Sequence, residues 1–527
     1  MAFFNLKRNL LVCAPIEYGS LDQMVASMDE AKAQGADLVE IPIHCSLSLS
    51  NISQLEKLIK QRTLPAILSI RTGGNSGSKN TALQVLRMAF ELDVEFVEME
   101  YEVASDIAMV EHMPVNSQII VSSYVNGSKP SSEKLGNLIA CMQSTGADVI
   151  RLIVEVHNIT DVAPIFQMLT HCQVPLIATA VGSRGLISQL LAPKFGGFLV
   201  YGYLKSHPIP GLPTLASIKQ VYELEHVNEY TKVFGLISNP VGHSKGPILH
   251  NPALRHIGYN GIYVPMMVDN VNEFFKTYTS MDFAGFSVGI PHKEKVVKCC
   301  DEVHPLAKSI GAVNTLVRRP SDGKLIGYNT DSEACITAIE DALRDDHIPV
   351  IWILMYETER EVADGVVSHA SSPISGKLFV LMGAGGAGRA LAFGARDRGA
   401  RVVIFNRNYE RAKALALAVS GEAHSSEVLD SFCPEKGMIF ANASSIGMEP
   451  NTNESPISKE ALRAYNLVFD AVYTPRNTRL LQEAAEVGAI VVSGVEMFIR
   501  QAIGQFSLFT GVPAPENVMR KLVEEQF

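Results

Sequence analysis

A glycine-rich segment is the clearest chemical motif of this chain. The apolar run LFVLM at 378–382 leads into G-A-G-G-A-G, and a helix-like segment and a second apolar run, ARVVIFNR, follow. Glycines at these places let a backbone approach a pyrophosphate, whose charge lies at the N-terminus of the following helix. In this strand–turn–helix context the pattern predicts a dinucleotide-binding site. Its residues are Gly383, Ala384, Gly385, Gly386, Ala387 and Gly388.

The end of the second apolar run bears on which dinucleotide binds. Enzymes that use NAD usually carry an Asp or Glu there for the ribose 2′-hydroxyl. This chain has Asn406, Arg407 and Asn408, and Arg411 follows. A guanidinium suits a 2′-phosphate, so NADP is predicted and NAD stays open. A solvated surface charge is the other interpretation of Arg407.

Seven further stretches combine polar residues with glycine and proline. They are NPVGHSKGPILHN (239–251), GFSVGIPHKE (285–294), GAVNT (311–315), GYNTD (327–331), NASSIGM (442–448), DAVYTP (470–475) and MFIRQAIGQF (497–506). In this order, over about 231–520, they resemble shikimate dehydrogenases. The resemblance implies a substrate-binding lobe at 231–335, a Rossmann NAD(P)-binding lobe at 376–494, and C-terminal helices at 495–527 that pack back on the substrate lobe.

The resemblance assigns the catalytic pair to Lys293 and Asp331. Oxidation of a secondary alcohol sends a hydride to nicotinamide and releases the hydroxyl proton. A lysine beside the hydroxyl can relay that proton or stabilise negative charge on the oxygen, and an aspartate can hold the lysine. A surface ion pair is the alternative. The substrate-binding positions of the family correspond to Ser244, Gly246, Gly289, Asn314, Tyr473, Gln501 and Gln505.

Two of these positions depart from the family pattern. Gly246 ends a segment that is Ser-x-Ser in the family, and Gly289 replaces the threonine of Thr-x-Pro-His-Lys. The resemblance places both lost hydroxyls at the carboxylate end of the substrate. Quinate has a saturated C1 there with an extra hydroxyl, so the space expected beside two glycines favours a quinate dehydrogenase. Drift in a weakened shikimate dehydrogenase is the alternative.

Residues 1–221 alternate β-rich runs with helical stretches. The strand candidates are 10–16, 37–43, 66–71, 95–100, 118–125, 147–156, 175–181 and 196–204. Eight β/α repeats predict a (β/α)8 barrel, with an open doubly wound sheet as the alternative. The chain is therefore expected to be α/β throughout, with a barrel followed by a two-lobe dehydrogenase.

The predicted barrel resembles type I 3-dehydroquinate dehydratase in several stretches, among them GADLVEI at 35–41 and TGADVIR at 145–151. That family forms a Schiff base on a lysine and moves the proton with a histidine. Arg151 stands at the lysine position and Tyr124 at the histidine position. A guanidinium stays protonated and does not attack a carbonyl, and a phenol does not exchange protons near neutral pH as imidazole does.

Other positions of the dehydratase pattern are also replaced. Pro42 and Gln189 stand where the family has arginines, and Pro208 and Leu212 fall where a serine and a glutamine are expected. The remaining matches are Glu40, Arg71, Glu100 and Ser188. The barrel is therefore predicted to be a dehydratase fold that has lost its reaction, whereas ligand binding by the remaining residues stays open.

The composition narrows the class of partner. Hydrophobic residues make up 47%, charged residues 19%, and the net charge is −10 with no basic run, which argues against a nucleic-acid partner. No apolar run approaches the ~20 residues of a membrane span. The eight cysteines form no CxxC pair and no histidine cluster has metal-ligand spacing, so free thiols and no metal are expected. The expected partner is a small molecule, and the oligomeric state stays open, with a monomer among the alternatives.

No targeting segment precedes the first strand-like run, which favours the cytoplasm, and the resemblance makes a plastid the alternative. The run 344–375 departs from the β/α pattern and is expected to be an exposed insertion between two lobes, with no assigned function.

Three functional hypotheses follow. The whole chain is similar to the plant bifunctional dehydroquinate dehydratase/shikimate dehydrogenase family. The leading hypothesis is an NAD(P)-dependent quinate dehydrogenase with weaker shikimate activity and a silent barrel. The second is an enzyme that keeps both activities of the shikimate pathway. The third is a non-catalytic ligand-binding protein built on both folds, against which Lys293, Asp331 and the intact glycine motif argue.

Overall fold

A computed structural model describes most of the chain, in two compact units. The described residues are 10–44, 49–71, 78–106, 117–127, 129–204, 209–242, 244–344 and 372–526. The first unit comprises 1–233, 240–247 and 260–282, and the second comprises 234–239, 248–259 and 283–527. Most of the expected insertion at 344–375, namely 345–371, lies outside the described residues.

The described residues of the barrel form eight strands, at the places where the sequence predicts them. They are β1 (Leu11–Pro15), β2 (Leu38–His44), β3 (Ala66–Arg71), β4 (Phe96–Glu100), β5 (Gln118–Val125), β6 (Val149–Glu155), β7 (Leu176–Val181) and β8 (Leu199–Tyr201). Their order is β7-β6-β5-β4-β3-β2-β1-β8, and Phe198 N donates to Leu176 O at 3.0 Å where β7 and β8 approach. Consecutive order around a nearly closed sheet confirms the predicted barrel, because an open doubly wound sheet would reverse its order at a central strand.

The helices of the barrel alternate with these strands. They are α1 (Leu21–Ala33), α2 (Leu49–Lys60), α3 (Ser78–Glu91), α4 (Tyr101–Asp106), α5 (Ser132–Gln143), α6 (Ala163–His171), α7 (Leu186–Leu190) and α8 (Leu215–Ser217). The start of α1 is specified locally. Ser20 Oγ accepts from Gln23 N, and the Gln23 side chain accepts from Ser20 N at 3.0 Å. Such a capping box satisfies two backbone donors that the first turn leaves without partners.

A part of the predicted substrate lobe groups with the barrel. In the first unit, Arg184 Nη2 and Nε each donate to the Asp269 carboxylate at 2.8 Å. The buried Tyr278 hydroxyl donates to Ile159 O at 2.6 Å. These contacts join the segment 260–282 to the barrel, so the expected lobe 231–335 is divided between the two units.

Six more strands and four helices follow the barrel. They are β9 (Lys232–Ser238), α9 (Gly246–His256), β10 (Gly261–Met267), α10 (Val271–Thr277), β11 (Phe283–Val288), β12 (Glu302–Val303), α11 (Pro305–Ile310), β13 (Thr315–Arg318), β14 (Leu325–Tyr328) and α12 (Asp331–Arg344). In the second unit, β11 pairs antiparallel with β13, β13 antiparallel with β14, and β14 parallel with β12. The polar stretches 285–294, 311–315 and 327–331 therefore fall at strand ends and at the start of α12.

The rest of the second unit is a parallel sheet with its helices. The elements are β15 (Leu378–Met382), α13 (Gly386–Asp397), β16 (Arg401–Asn406), α14 (Tyr409–Val419), β17 (Glu422–Ser425), β18 (Met438–Asn442), α15 (Lys459–Leu462), β19 (Tyr465–Asp470), α16 (Arg479–Glu486), β20 (Ile490–Val492), α17 (Gly494–Thr510) and α18 (Glu516–Gln526). The strand order is β17-β16-β15-β18-β19-β20. This is the Rossmann order, and its switch point between β15 and β18 is where such sheets bind dinucleotides.

Helix α17 returns to the strands that precede the Rossmann sheet. Arg500, which is almost fully buried, lies 2.8 Å from Asp341 of α12. Phe509 stacks on Phe234 with ring centroids 5.1 Å apart. Among the described helices, none has both the length and the apolar character required to cross a membrane.

Candidate active site

Lys293 and Asp331, which are 38 positions apart in sequence, form an ion pair in the second unit. The Lys293 Nζ lies 2.5 Å from Asp331 Oδ2, and Asn314 Nδ2 donates to Asp331 Oδ1 at 2.9 Å. Asp331 is 2% exposed and begins α12, where the positive end of the helix dipole favours a carboxylate. Each carboxylate oxygen is therefore engaged, and Asp331 holds a partly exposed ammonium and a buried amide in a fixed relation.

The loop that carries Lys293 is anchored at both ends. Gly289 N donates to Ile237 O at 2.9 Å, and His292 N donates to Gly289 O at 3.0 Å. At the other end, Val313 N donates to Lys293 O at 2.8 Å. A lysine held in this way can exchange a proton with a bound hydroxyl group, or stabilise negative charge on its oxygen.

The glycines of the motif have different structural roles. Gly383 has φ +112°, and a Cβ on Gly388 would lie 2.2 Å from Gly383 O, so these two glycines make the turn and the close start of α13. A Cβ on Gly385 would meet no described protein atom within 4 Å. The open side of Gly385 at the N-terminus of α13 fits a pyrophosphate. Ala384 is buried and Ala387 half-buried in the same turn.

Gly386 lies beside Lys293. A Cβ built there would lie 3.1 Å from Lys293 Cδ and 3.2 Å from Lys293 Cβ. The turn predicted to bind the dinucleotide therefore contacts the stem of the predicted catalytic lysine. Sequence spacing does not predict this contact, because it joins two motifs that lie far apart along the chain.

Two arginines, Arg407 and Arg411, follow the end of β16. Arg407 is exposed, and Asn408 Oδ1 accepts from Arg411 N at 3.2 Å and so caps α14. Asn406 Nδ2 donates to Asn408 O at 2.9 Å. Arg411 Nη2 lies 2.7 Å from Glu294 Oε1 in an exposed ion pair. Such surface pairs contribute little free energy, so a phosphate can compete for Arg411.

Three predicted substrate residues lie on or beside α17. Gln505 is buried, accepts from Ser287 Oγ at 2.7 Å and donates to Asn314 O at 3.2 Å. Its amide therefore braces the wall that carries Asn314. Gln501 Nε2 donates to Phe498 O at 2.9 Å within the helix. The Tyr473 ring stacks on Phe498 with centroids 5.1 Å apart, and burial raises the pKa of Tyr473.

The two glycines that depart from the family pattern do not lie beside empty space. In the first unit, Ser244 Oγ accepts from Gly246 N at 3.1 Å, and a Cβ on Gly246 would lie 2.9 Å from Tyr263 Cε1. In the second unit, a Cβ on Gly289 would lie 2.5 Å from Ser238 Oγ. The expectation of open volume at both Cβ positions is therefore wrong, because neighbouring side chains have taken it.

Two of the polar stretches meet at the end of β19, where Asp470 is bonded to Asn442. Asp470 accepts from Asn442 Nδ2 at 3.0 Å, from Val472 N at 3.0 Å and from Thr478 Oγ1 at 2.7 Å. Burial raises its pKa to about 6 although these three donors lower it. Asp470 thus ties together the ends of β18 and β19 at the carboxyl edge of the Rossmann sheet.

Inside the barrel, Arg151 is enclosed by carboxylates. Its Nη1 lies 2.9 Å from Glu40 Oε2 and 2.5 Å from Glu98 Oε2. Arg71 Nη2 lies 2.8 Å from Glu98 Oε1, and Arg71 Nη1 donates to Ser122 Oγ at 3.1 Å. The two guanidinium groups and the two carboxylates have no net charge, and each group is paired with one of opposite charge.

The electrostatics agree with this pairing. Burial would lower the pKa of Arg151, but the carboxylates of Glu40 and Glu98 outweigh burial and hold it well above its usual value. Burial would raise the pKa of Glu40, and the Arg151 and Arg71 guanidinium groups lower it instead. The Arg151 guanidinium also lies over the Tyr201 ring, 4.3 Å from its centroid. Arg151 is thus a permanently charged structural group.

The remaining dehydratase positions do not join this cluster. Tyr124 is exposed, and Glu100 is half-buried at the end of β4. Ser188 Oγ accepts from Ala180 N at 3.0 Å. Gln189 accepts from Tyr201 N at 2.7 Å.

Glu98 belongs to this ion-pair cluster although the sequence predicted Glu100 and not Glu98 as a site residue. The two-residue period of FVEME places both glutamates on one face of β4 and could have indicated it. Pro42 lies within β2, Leu212 packs against the apolar cluster of the barrel, and Pro208 is outside the described residues.

Fold and site together define an α/β protein in which a dehydratase-type barrel accompanies a dehydrogenase of the shikimate type. Residues 12–229 match the family model of type I 3-dehydroquinase. Residues 236–316 match the shikimate dehydrogenase substrate binding domain, and residues 494–524 match the shikimate 5′-dehydrogenase C-terminal domain.

The chain belongs to the bifunctional 3-dehydroquinate dehydratase/shikimate dehydrogenase family. It is 46% identical over 528 residues to the chloroplastic bifunctional 3-dehydroquinate dehydratase/shikimate dehydrogenase of Arabidopsis thaliana, covering 99% of this chain and 85% of that relative. It is 34% identical over 298 residues to the NADP⁺ shikimate dehydrogenase of Bacillus thuringiensis, covering 55% of this chain and 97% of that one. A crystal structure of a shikimate dehydrogenase in complex with NADP⁺ is 33% identical with a TM-score of 0.48, covering 57% of this chain and 97% of that chain.

Proposed function

We propose that this protein is an NAD(P)-dependent dehydrogenase that reversibly oxidises quinate to 3-dehydroquinate, and shikimate to 3-dehydroshikimate more weakly, and that its barrel does not dehydrate. The observation that carries the dehydrogenase is the Lys293–Asp331 pair packed against the glycine-rich turn. A bound nicotinamide supplies the hydride acceptor. Lys293 relays the hydroxyl proton: during oxidation its ammonium releases one proton to solvent and the amine then takes the hydroxyl proton, and reduction reverses these steps, while Asp331 keeps the lysine in place and Asn314 holds a ring hydroxyl.

The preference for quinate rests on Gly246 and Gly289. Neither residue supplies the hydroxyl that the family pattern has at that position, so a substrate carboxylate loses two partners there, and quinate carries a C1 hydroxyl of its own beside that carboxylate. Hydrogen bonds to charged acceptors contribute about 1.5–3 kcal/mol each. The competing hypothesis, a shikimate dehydrogenase weakened by drift, predicts that shikimate remains the better substrate.

The silence of the barrel rests on Arg151. Its guanidinium cannot form an imine, and Glu40 and Glu98 hold it in a buried ion-pair cluster. The second candidate function, an enzyme with both activities, is favoured by the similarity to the bifunctional enzyme of Arabidopsis thaliana. A non-catalytic ligand-binding protein is the third candidate, and the engaged lysine–aspartate pair argues against it.

The proposed cofactor is NADP, because Arg407 follows the second Rossmann strand in place of an acidic residue and Arg411 lies in the first turn of the next helix. Arg407→Ala should raise the KM for NADP by roughly ten-fold or more, as expected for loss of a charge-assisted contact, and change the KM for NAD little. Arg401→Ala is a matched control, because Arg401 is exposed at the opposite end of the same strand. Equal effects of Arg407→Ala on the two cofactors would contradict the assignment.

The proposed substrates are small molecules, and the proposed location is the cytoplasm. The relative described as chloroplastic supports a plastid as the alternative.

Two measurements test the function as a whole. Initial rates with quinate and shikimate, each with NAD and NADP, should show the highest kcat/KM with quinate. Incubation with 3-dehydroquinate should form no conjugated enone, and borohydride should trap no adduct on the protein. Preference for shikimate would reject the quinate assignment, and enone formation at an enzymatic rate would reject the silent barrel.

A further inference from the structure

The space beside Gly289 is filled by a residue outside every motif that the sequence analysis used. Ser238 ends β9 and is 4% exposed. A Cβ built on Gly289 would lie 2.5 Å from Ser238 Oγ and 2.8 Å from Ser238 Cβ. Both distances are shorter than Cβ contacts in folded proteins, so residue 289 cannot carry a side chain while Ser238 keeps this position.

Ser238 also supports the loop that leads to Lys293. Its hydroxyl donates to Ile290 O at 2.8 Å, and Asn239 N donates to the same carbonyl at 3.0 Å. Gly289 N is already bonded to Ile237 O. The end of β9 therefore bonds the N–H of Gly289 and the carbonyl of Ile290, and Ile290 lies three residues before Lys293.

We propose that Ser238 and Gly289 form one specificity element, in which Ser238 takes the volume of the missing side chain and positions the loop of Lys293. Residue 289 therefore offers no hydroxyl to a substrate. The Ser238 hydroxyl occupies the volume that a threonine side chain would take, and it donates to Ile290 O within the wall. This inference deepens the proposed function and rests on it for the identity of the substrate. Ser238 acts as a positioning residue, since its described contacts are with the protein wall.

The proposal implies two alternative solutions for the same volume. Serine at 238 goes with glycine at 289, and glycine at 238 goes with threonine at 289. Alanine at 238 is not a third solution, because its Cβ would still lie about as close to the new side chain as Ser238 Cβ does, at 2.8 Å. The element therefore predicts rescue by glycine and failure of rescue by alanine.

The test is a cycle of full-length variants: Ser238→Gly, Gly289→Thr, the double variant Ser238→Gly/Gly289→Thr, and Ser238→Ala/Gly289→Thr. Thermal unfolding without substrate or cofactor is measured first. Gly289→Thr should lower Tm by roughly 3–10 °C, as overpacking does, and Ser238→Gly in the same protein should restore most of that loss. The alanine combination should remain destabilised.

Gly242→Thr is the matched control for unfolding. A Cβ at Gly242 would meet no described atom within 4 Å, so the same substitution there should change Tm much less than at Gly289. Additive effects of the two substitutions on Tm, or equal rescue by alanine and glycine, would overturn the proposal.

Steady-state kinetics then distinguish a role of Ser238 in substrate specificity from a role in positioning the loop of Lys293. Ser238→Gly alone should lower kcat with both substrates, because the loop of Lys293 loses a hydrogen bond. The double variant should recover kcat with shikimate and shift the ratio of kcat/KM for quinate over shikimate towards shikimate by roughly ten-fold or more. Restored Tm with an unchanged ratio would overturn the role in specificity. If the unmodified protein does not oxidise quinate, the proposed function fails, whereas the unfolding cycle still decides whether the two residues are coupled.

Discussion

Lys293 lies against Gly386 of the glycine-rich turn, and a Cβ at residue 386 would be 3.1 Å from Lys293 Cδ. The neighbouring Gly385 faces no described atom within 4 Å. One glycine therefore makes room for the predicted catalytic lysine, and the other leaves open the approach to the N-terminus of α13, where a pyrophosphate is predicted to bind. A single turn therefore contacts Lys293 and contains the predicted cofactor position.

Gly386→Ala should displace Lys293 and reduce kcat. A shift of about 1 Å at a reacting group can cost about 100-fold in rate, so a loss of roughly 10- to 100-fold is expected, with the Kd of NADP changed less. Gly385→Ala is the matched variant and should show the reverse, a weaker Kd with a smaller effect on kcat at saturating cofactor. Cofactor titration and steady-state kinetics measure both. The same pattern in the two variants would contradict the division.

Lys293→Ala should lower kcat by roughly two to four orders of magnitude, because it removes the group that exchanges the hydroxyl proton. The folded state should persist, since Lys293 is partly exposed and its backbone bonds remain. The control is Lys295→Ala, two residues further on and exposed to solvent, which should retain normal turnover. Near-normal turnover of the Lys293 variant would remove it from the mechanism.

Arg151→Met should destabilise the barrel without creating or removing dehydratase activity. It leaves Glu40 and Glu98 buried without their shared cation, and breaking such a pair costs about 3–5 kcal/mol. Arg87→Met, at an exposed position of α3, is the control and should be close to neutral. Urea unfolding measures both free energies.

The same variant should change the pH dependence of stability on the acid side. In the wild type, the arginines lower the pKa of Glu40, so its stabilisation is present above the unfolded pKa and is lost as pH falls through the lower folded value. Without Arg151, only Arg71 opposes the effect of burial, so the pKa of Glu40 should be higher than in the wild type. The Arg151→Met protein should then gain stability as pH falls from about 7 towards 5, relative to the wild type. A constant difference in Tm over this range would show that Glu40 is not the titrating group.

The contribution of Asp470 to the stability of the folded state should depend on pH in the opposite direction to that of a salt-bridged carboxylate. Burial raises its pKa to about 6, above the ordinary range of an aspartate, so its contribution is full below the unfolded value and is lost as pH rises through the folded one. Compared with Asp470→Asn, the wild type should be more stable by a larger margin near pH 4.5 than near pH 7.5. Asp430→Asn, at a less buried aspartate, is the control.

The eight barrel strands and the strand–turn–helix of the Rossmann sheet were predictable from the sequence alone. Both are written in local patterns, namely the spacing of β-rich runs and the places of glycine. Lys293 and Asp331 were predicted as a pair because each lies within a short, distinctive motif. The loss of the barrel lysine at Arg151 was likewise visible in one residue type.

What the tertiary structure decided is which side chains meet. Arg151 and Glu40 are 111 residues apart in sequence and 2.9 Å apart in the barrel, and Glu98 joins them although only Glu100 had been singled out. Gly386 proved to face Lys293, and Ser238 proved to fill the space expected beside Gly289. Periodicity sets the face on which a residue lies, but packing of distant segments sets distances of a few ångströms. Those distances determine whether a glycine opens a pocket or accommodates a neighbour.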